Sequence, residues 1–224
     1  ETHFHTMEVS SCGRVPAAEG VRRYHAAGYD GIVVTDHYTE GFFGDMPADT
    51  SWRDKLDRYL TGWRAARDAG GVLGMTVLLG LELRFAGSNN DYLVYGATPA
   101  LLEAHPALYT LSPEVFSRFA KENGLWWAQA HPFRPGLPRC PPSCLDGLEV
   151  FNGNPRHDSH NGLAAAYAEE HGLTAIAGSD YHELPDLSGT GVRFHSEVTD
   201  NRTLLEGLRS GAFDIVRGAV PPIR

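Results

Sequence analysis

The segment GIVVTDH, residues 31–37, decides the fold class of this 224-residue chain. Its apolar, β-branched residues form a run without polar alternation, which is typical of a strand buried on both faces of a sheet. The run ends in Asp36 and His37, which are cation-binding side chains. An amphipathic pattern from Pro16 to Ala27 precedes it and stops at Gly28, as a helix would. A helix is thus followed by a buried strand with a polar end.

The same unit recurs along the chain. Further runs predict strands over the following segments: VLLGLELRF (77–85), LWWAQAHPF (125–133), GLEVFNG (147–153) and TAIAGSDYH (174–182), with the opening ETHFHT and FDIVRG (213–218) as additional candidates. Helix patterns lie between them, over residues 56–63, 113–124, 161–171 and 200–210. This alternation favours an α/β fold with a largely parallel sheet, either a closed barrel or a doubly wound sheet. With no repeat or linker pattern, we predict a single domain over 1–224.

The composition excludes several classes of function. Lys and Arg number 19 and Asp and Glu 28, so the formal charge is −9, which disfavours a general nucleic-acid-binding protein. No apolar run approaches the roughly 20 residues of a membrane span, and the chain opens without a leader pattern, so we expect a cytoplasmic protein with no membrane association. Three cysteines, Cys12, Cys140 and Cys144, are too few for a disulfide framework and predict reduced loop thiols.

The opening segment indicates a metal site. In a strand, His3 and His5 would project from one face while Phe4 projects from the other. The ends of the other predicted strands supply further candidates, and in a parallel α/β fold these ends gather on one face. They are the following residues: Asp36, His37, Glu82, His131, Arg134, Asn152, Arg156, Asp180 and His182. Carboxylates buried together without a cation would repel each other and pay a large desolvation cost. The donor types suit Zn, Mn, Fe or Mg, and their number predicts two or three ions with a bridging carboxylate such as Glu82.

The ordered motifs ETHFHT, VTDHY, GLELRF, QAHPFR, GLEVFNG and GSDYH, across positions 2–182, resemble the polymerase and histidinol phosphatase (PHP) family of metal-dependent phosphoesterases. The resemblance implies a distorted (β/α)7 TIM-like barrel with two or three divalent ions at the carboxyl ends of its strands. By position it implies three ion sites: one with His3, His5, Glu82 and Asp180, a second shared by Glu82 and His131, and a third with His37 and His182. Asp36 would orient a neighbouring imidazole.

The chain departs from the common PHP pattern at two places. Ser10 and Ser11 stand where many members have an aspartate or histidine for the third ion, and Glu8 is the candidate substitute. Asp91 stands where the family often has a histidine ligand of the second ion, which would favour oxygen-preferring metals. For both Glu8 and Asp91, a solvated carboxylate is the alternative interpretation.

The predicted activity is hydrolysis of a small-molecule phosphomonoester, of the nucleotide, sugar phosphate or histidinol phosphate type, by a metal-activated water. Arg134 and Arg156 are candidates for a phosphate clamp, with surface salt bridges as the alternative, and Arg84 is a weaker candidate. A metal-bound water or His157 would protonate the leaving oxygen. The expected partner is a phosphorylated small molecule.

Three alternatives to this activity stay open at the level of the sequence. The first is a PHP-type nuclease or phosphodiesterase. The second is an amidohydrolase, although Lys55 and Lys121, the lysines that could form its carboxylated bridge, fall in helix patterns. The third is a metal-bound module without catalytic activity.

Overall fold

A curled mixed β-sheet forms the centre of the protein in a computed structural model that describes residues 1–218. The strands are β1 (Gly31–Val34), β2 (His37–Thr39), β3 (Thr76–Arg84), β4 (Asp91–Tyr95), β5 (Trp126–Gln129), β6 (Gly147–Asn152), β7 (Thr174–Gly178), β8 (Gly191–Phe194) and β9 (Phe213–Val216). The α-helices are α1 (Ala17–Ala26), α2 (Glu40–Gly44), α3 (Trp52–Tyr59), α4 (Thr61–Leu73), α5 (Pro99–Ala104), α6 (Pro113–Glu122), α7 (Asn161–His171) and α8 (Asn201–Ser210). Short 3-10 helices cover Leu108–Thr110, Pro142–Cys144 and Leu184–Asp186.

The main sheet has seven strands in the order β1-β3-β4-β5-β6-β7, with β2 also paired to β3. Strands β1 and β2 run parallel to β3, and β5, β6 and β7 are parallel to one another. Strand β4 is antiparallel to both of its neighbours. Strands β8 and β9 form a separate antiparallel pair. Within the described residues, no helix is long and apolar enough to span a bilayer.

The α/β class is confirmed, whereas the expected series of seven β/α units is not confirmed, because β4 interrupts it. Only residues 85–90 separate β3 from β4. A parallel neighbour would need a crossover of a dozen or more residues, usually a helix, so this short connection produces an antiparallel pair. The sheet is therefore curled and mixed rather than a regular barrel of repeated units. Residues 219–224 of the predicted single domain lie outside the described residues.

The opening segment lies between β1 and the residues that follow β7. Phe4 forms isolated parallel bridges to Val34 and Tyr181, although the segment is too irregular to count as the strand that the sequence predicted. Phe4 is fully buried, and its ring stacks on Tyr181 with the centroids 5.0 Å apart. His3 and His5 project to the other side, into the interior above the sheet. This packing holds both imidazoles in fixed positions.

Most predicted helices and strands are present. The stripe over 56–63 is divided at Leu60, where α3 ends and α4 begins. The candidate over 213–218 is present as β9. Sequence reasoning missed β4, whose five residues are all buried. A run this short between a polar segment and a glycine has no periodicity that separates it from a loop.

Candidate metal site

All but one of the predicted metal ligands gather in one cluster. They form four overlapping groups in which one ligand atom per residue lies within 4.8 Å of the others. The groups are His3, His5 and Asp180; His3, Glu82 and His131; His37, Glu82 and Asp91; and His5, His37 and His182.

Glu82, near the end of β3, occupies the centre of this cluster and is 1% exposed. Its Oε1 lies 3.1 Å from His3 Nε2 and 3.2 Å from His131 Nε2. Its Oε2 lies 2.7 Å from His37 Nδ1 and 3.4 Å from His5 Nε2. Each carboxylate oxygen thus faces a different pair of imidazoles, which is the arrangement that a carboxylate bridging two ions requires.

Two of the gathered residues have an unusual backbone conformation. His131 has φ of 30° and Asp180 has φ of 54°, in the left-handed region that side chains other than glycine seldom adopt. Residues in this conformation persist when the surrounding structure over-determines them, and they cluster at functional sites. Asp180 Oδ1 lies 3.4 Å from His3 Nε2 and 3.6 Å from His5 Nε2, so the strained turn after β7 directs this carboxylate into the cluster.

Neighbouring charges shift the pKa values of His3 and His5 in opposite directions. Burial lowers the pKa of His3, but the carboxylates of Glu149, Asp180 and Glu82 outweigh it and raise the pKa well above its usual value. Burial also lowers the pKa of His5, and the imidazoles of its neighbours lower it further. Burial raises the pKa of Glu82, but the surrounding imidazoles outweigh burial and hold it well below its usual range.

The donors present fit divalent cations. His3 Nε2, His5 Nε2 and Glu82 Oε2 are buried atoms without a hydrogen-bond partner among the described residues. A buried polar atom left in this state costs free energy, and a bound cation would satisfy it. Imidazole nitrogens and carboxylate oxygens together are donors for zinc, manganese, iron or magnesium.

Asp36 does not face the cluster but is linked to it through Ser10. Its Oδ1 accepts hydrogen bonds of 2.7 Å from Thr6 N and Ser10 Oγ. Ser10 Oγ lies 3.0 Å from His5 Nδ1 and accepts a 3.2 Å hydrogen bond from His37 N. Burial raises the pKa of Asp36 to about 6 against the effect of its hydrogen bonds. Asp36 is thus joined to His5 through Ser10, and its orienting role stays a prediction.

Glu149 is a site residue that sequence reasoning missed. Its Oε1 lies 2.8 Å from His3 Nδ1, and its Oε2 accepts hydrogen bonds from His131 N at 2.8 Å and Asn152 Nδ2 at 3.0 Å. The side chain is buried on β6, where it orients His3 and supports the turn at His131. The sequence did contain a signal for this role. Glu149 is the single acidic residue of the apolar run GLEVFNG, and a carboxylate is rarely buried in such a run without a partner.

Asp91 lies at the edge of the cluster and is paired with Arg84. Both guanidinium contacts are 2.7 Å long, and Asp91 Oδ2 lies 4.0 Å from His131 Nε2. Burial, followed by the charge of Glu82, raises the pKa of Asp91. The bidentate pairing with Arg84 already compensates the charge of this carboxylate, while its place beside Glu82 and His37 keeps it within reach of an ion.

Glu8 is the predicted ligand that the structure places apart from these groups. Both of its carboxylate oxygens accept a hydrogen bond from Ala17 N, at 3.1 and 3.0 Å. Ala17 is the first residue of α1, whose amino-terminal N–H groups lack partners within the helix. Glu8 therefore caps α1, where its negative charge also favours the helix dipole.

The two candidate phosphate-binding arginines have different environments. Arg134 contacts Asp180 directly, and its guanidinium also donates to Asn152 Oδ1 at 3.1 Å and Ser159 Oγ at 3.2 Å. It lies beside the metal ligands and is 19% exposed. His157 lies on the same loop as Ser159, and burial followed by the charge of Arg134 lowers its pKa.

Arg156 is held by a different carboxylate. Its guanidinium makes two hydrogen bonds to Asp186, of 2.9 and 2.7 Å. Asp186 is fully buried and also accepts hydrogen bonds from the backbone N–H groups of His182 and Glu183. Arg156 therefore anchors the segment that carries His182, which corresponds to the salt-bridge alternative considered for it.

A cleft of about 820 Å³ opens beside the cluster. His37, Cys12 and Arg84 line its inner part, while Phe42, Met46 and Pro47 supply apolar walls. Cys12 Sγ lies 3.2 Å from His37 Nε2, so this thiol belongs to the site and not to a remote loop. A second cavity, of about 780 Å³, lies near Gly31, Thr76 and Phe194 and contains none of the metal-ligand candidates.

Comparisons with known proteins bear on the family and the fold of this chain. Residues 158–213 match the family model PHP_C, described as PHP-associated, and this segment contains Asp180 and His182. No curated protein sequence matches the chain significantly. The PHP resemblance is thus confirmed by this PHP-associated segment.

Several solved structures share the fold. A two-domain protein of Bacteroides vulgatus, described as containing a predicted PHP-like metal-dependent phosphoesterase, matches 96% of this chain with 18% identity and a TM-score of 0.68, and the chain covers 63% of its length. PsfC of Pseudomonas syringae matches 96% of this chain, over 87% of its own length, with 18% identity and a TM-score of 0.65. An amidohydrolase of Chromobacterium violaceum, with bound sulfate and no metal, matches 96% of each chain with 17% identity and a TM-score of 0.56.

Proposed function

We propose that this protein is a metal-dependent phosphoesterase that hydrolyses a small-molecule phosphomonoester. The observation that carries the proposal is the position of Glu82, whose two oxygens face different pairs of buried imidazoles. A carboxylate in that position is suited to joining two ions. The PHP-associated segment at residues 158–213 supports the same reaction class.

The chain's residues divide into ligands and supports. His3, His5 and Asp180 would hold one ion together with Glu82, and His131 would hold a second ion shared through Glu82. Bound there, divalent ions would lower the pKa of a water toward neutrality and neutralise phosphate oxygens. Glu149 and Ser10 keep His3 and His5 oriented by occupying their Nδ1 atoms.

Arg134 is the residue that we assign to phosphate binding. Its guanidinium lies against Asp180 and is partly accessible, so an ester phosphate at the ions would come within its reach. Planar guanidinium groups suit bidentate contact with phosphate oxygens. The lowered pKa of His157 favours its neutral form, so this residue is better suited to accept a proton than to donate one to the leaving oxygen.

The adjoining cleft favours a small substrate. Its volume of about 820 Å³ is within the range of pockets that enclose small molecules. Its mixed lining of apolar and charged side chains would contact the alcohol part of the ester. The formal charge of −9 disfavours the alternative of a PHP-type nuclease, because a polyanionic substrate would be repelled.

The positions of the lysines argue against an amidohydrolase with a carboxylated lysine bridge. Lys55 lies on α3 and donates to the carbonyl oxygen of Phe43, and Lys121 is exposed on α6. Glu82 would supply the bridging carboxylate instead. The proposal therefore departs from the activity named for the Chromobacterium violaceum protein, with which this chain shares the fold.

The experiment that tests the proposal combines metal analysis with hydrolysis assays. The purified protein would be stripped with a chelator and reloaded separately with Mn²⁺, Zn²⁺, Fe²⁺ and Mg²⁺. Each form would then be assayed with p-nitrophenyl phosphate, bis-p-nitrophenyl phosphate, an N-acyl amide and a panel of phosphorylated metabolites. Asp180→Asn would be the site variant, and Asp68→Asn would be the matched control because Asp68 is 73% exposed on α4.

We expect metal-dependent release of phosphate from monoesters, lost in Asp180→Asn and kept in Asp68→Asn. Faster cleavage of the diester would instead support a phosphodiesterase, and amide hydrolysis would support an amidohydrolase. A protein that binds two ions per chain and hydrolyses none of these compounds would support a non-catalytic module.

A further inference from the structure

Cys12 occupies a position that the proposed phosphoesterase chemistry does not use. It lies in the loop between the opening segment and α1, and it lines the cleft beside His37. Its Sγ is 3.2 Å from His37 Nε2. Ligand atoms that share a tetrahedral zinc ion, at 2.0–2.3 Å from it, are roughly 3.5 Å apart, so these two atoms are already near the separation of two ligands of one ion.

The neighbouring histidines are oriented with one nitrogen available. His37 Nδ1 lies 2.7 Å from Glu82 Oε2, and His182 Nδ1 lies 2.9 Å from the carbonyl oxygen of Asp180. His182 can donate its Nδ1–H to that carbonyl oxygen and present Nε2 as a ligand atom, as metal-binding histidines commonly do, whereas the short contact of His37 Nδ1 with Glu82 lacks hydrogen-bond geometry. The Nε2 atom of His37 is the one that faces Cys12.

A second observation, independent of the thiol, points to a ligand here. His5 Nε2 is buried and has no hydrogen-bond partner among the described residues. The His5 ring stacks on His182 with the centroids 4.0 Å apart, and one nitrogen from each of His5, His37 and His182 lies within 4.8 Å of the others. That group contains three imidazoles and no carboxylate.

We propose that Cys12 is a thiolate ligand of an ion held with His37 and His182. The inference rests on the metal-dependent function proposed above, and it deepens that function by assigning a further donor. A set of one sulfur and two nitrogens prefers Zn²⁺, Co²⁺ or Fe²⁺ to Mg²⁺ or Mn²⁺. Three protein ligands also leave a coordination position open toward the cleft.

Cobalt provides a test that does not depend on catalysis. A Co²⁺ ion bound by a thiolate has a sulfur-to-metal charge-transfer band in the near ultraviolet, whereas cobalt bound only by nitrogen and oxygen lacks it. Chelator-stripped protein, kept reduced and anaerobic, would be titrated with Co²⁺ while the spectrum and the number of bound ions are recorded. The samples would be the unaltered protein, Cys12→Ser, and Cys144→Ser as a matched thiol control.

We expect the band in the unaltered protein and in Cys144→Ser, and its loss in Cys12→Ser. Absence of the band from unaltered protein that has bound its full complement of Co²⁺, or its persistence in Cys12→Ser, would overturn the proposal. Circular dichroism of each variant would confirm that it has folded. In a second measurement, Cys12→Asp and the unaltered protein would be compared in a competition between Zn²⁺ and Mn²⁺. The ratio of the two affinities should shift toward Mn²⁺ by about tenfold or more in the variant, and an unchanged ratio would contradict the assignment.

The outcomes separate this inference from the proposed function. A cobalt band that depends on Cys12, in a protein that hydrolyses no phosphate ester, would support the thiolate ligand and refute the phosphoesterase. Metal-dependent hydrolysis by a protein without the band would support the phosphoesterase and refute the thiolate ligand.

Discussion

His3 and His5 lie two residues apart and face the same interior, but they belong to chemically different halves of the site. The carboxylate half surrounds His3 and His131 with Glu82, Asp91, Glu149 and Asp180. The imidazole half consists of His5, His37 and His182 with Cys12. Glu82 touches both halves through its two oxygens.

Neighbouring groups give the two halves different electrostatic environments. The carboxylates raise the pKa of His3, so a proton on that ring offsets their charge. Burial, followed by the neighbouring imidazoles, lowers the pKa of His5, so that ring stays neutral and offers a lone pair. The two other imidazoles of that half differ from His5, because Glu82 outweighs burial and raises the pKa of His37, and Cys12 and Asp180 outweigh it at His182. Protons therefore compete with metal in both halves, and the halves should differ in metal preference because their donor types differ.

The largest expected effect comes from removing a ligand. Asp180→Asn should lose at least one ion per chain and lower phosphatase activity more than about 100-fold, the upper range for residues that only support ligands. His131→Ala should have a similar effect on activity, but its loss of metal should be confined to the carboxylate half. Metal analysis of dialysed protein and initial rates would measure both. If both variants kept full metal content and full activity, the site would be elsewhere.

The next largest effect is expected from the residues that orient His3 and His5. Glu149→Gln should weaken metal binding about 10- to 100-fold at pH 8, because His3 loses the charged hydrogen-bond partner that orients it. Ser10→Ala should have a smaller effect, since the hydroxyl that orients His5 is neutral. Isothermal titration of stripped protein with Zn²⁺ would give both affinities. A larger loss in Ser10→Ala would reverse the ranking of the two halves.

The pH dependence of metal loading tests the electrostatic effect of Glu149 in the carboxylate half. Because the carboxylates outweigh burial and raise the pKa of His3, protons compete with metal for this residue, and loading should weaken as pH falls through that pKa. Glu149→Gln removes a charge that favours the protonated ring, so the midpoint of its loss of affinity, taken relative to the variant's own plateau at high pH, should move to lower pH. Loading measured at a series of pH values would show this. A midpoint that moves to higher pH would mean that Glu149 does not act on His3 electrostatically.

A smaller effect is expected on stability from the arginine that anchors the His182 segment. Arg156→Gln leaves the buried Asp186 without its bidentate partner and should lower the free energy of unfolding by about 1–3 kcal/mol. Arg134→Gln should change stability less and raise the KM for a phosphomonoester more. Urea denaturation and steady-state kinetics would separate the two arginines, and the opposite pattern would exchange their assigned roles.

The smallest expected effect is that of Glu8→Gln. The amide still caps α1 but loses the charge that favours the helix amino terminus, so stability should fall by less than about 1 kcal/mol. Metal content should stay unchanged. Loss of one ion per chain in this variant would show that Glu8 is a ligand and that the cap is secondary.

Much of the site could be predicted from the sequence because its residues occur at the ends of recognisable buried strands. Asp36, His37 and Asp180 all follow such runs, and strand ends meet on one face of a parallel sheet. The antiparallel strand β4 could not be predicted in this way, since it is as short as a loop and lacks a helix before it. The role of Glu149 was also missed, because candidate ligands were expected at strand ends and Glu149 lies inside β6.

Local periodicity and side-chain chemistry were sufficient to predict the α/β class, most helices and strands, and the donors that can bind divalent ions. What each donor faces depends on the tertiary structure. It directed Glu8 to the end of α1, Arg156 to Asp186, and Cys12 to His37. The physical reason is that the partner of a charged or polar group depends on distances of a few ångströms between segments far apart in the chain, and spacing along the sequence does not contain those distances.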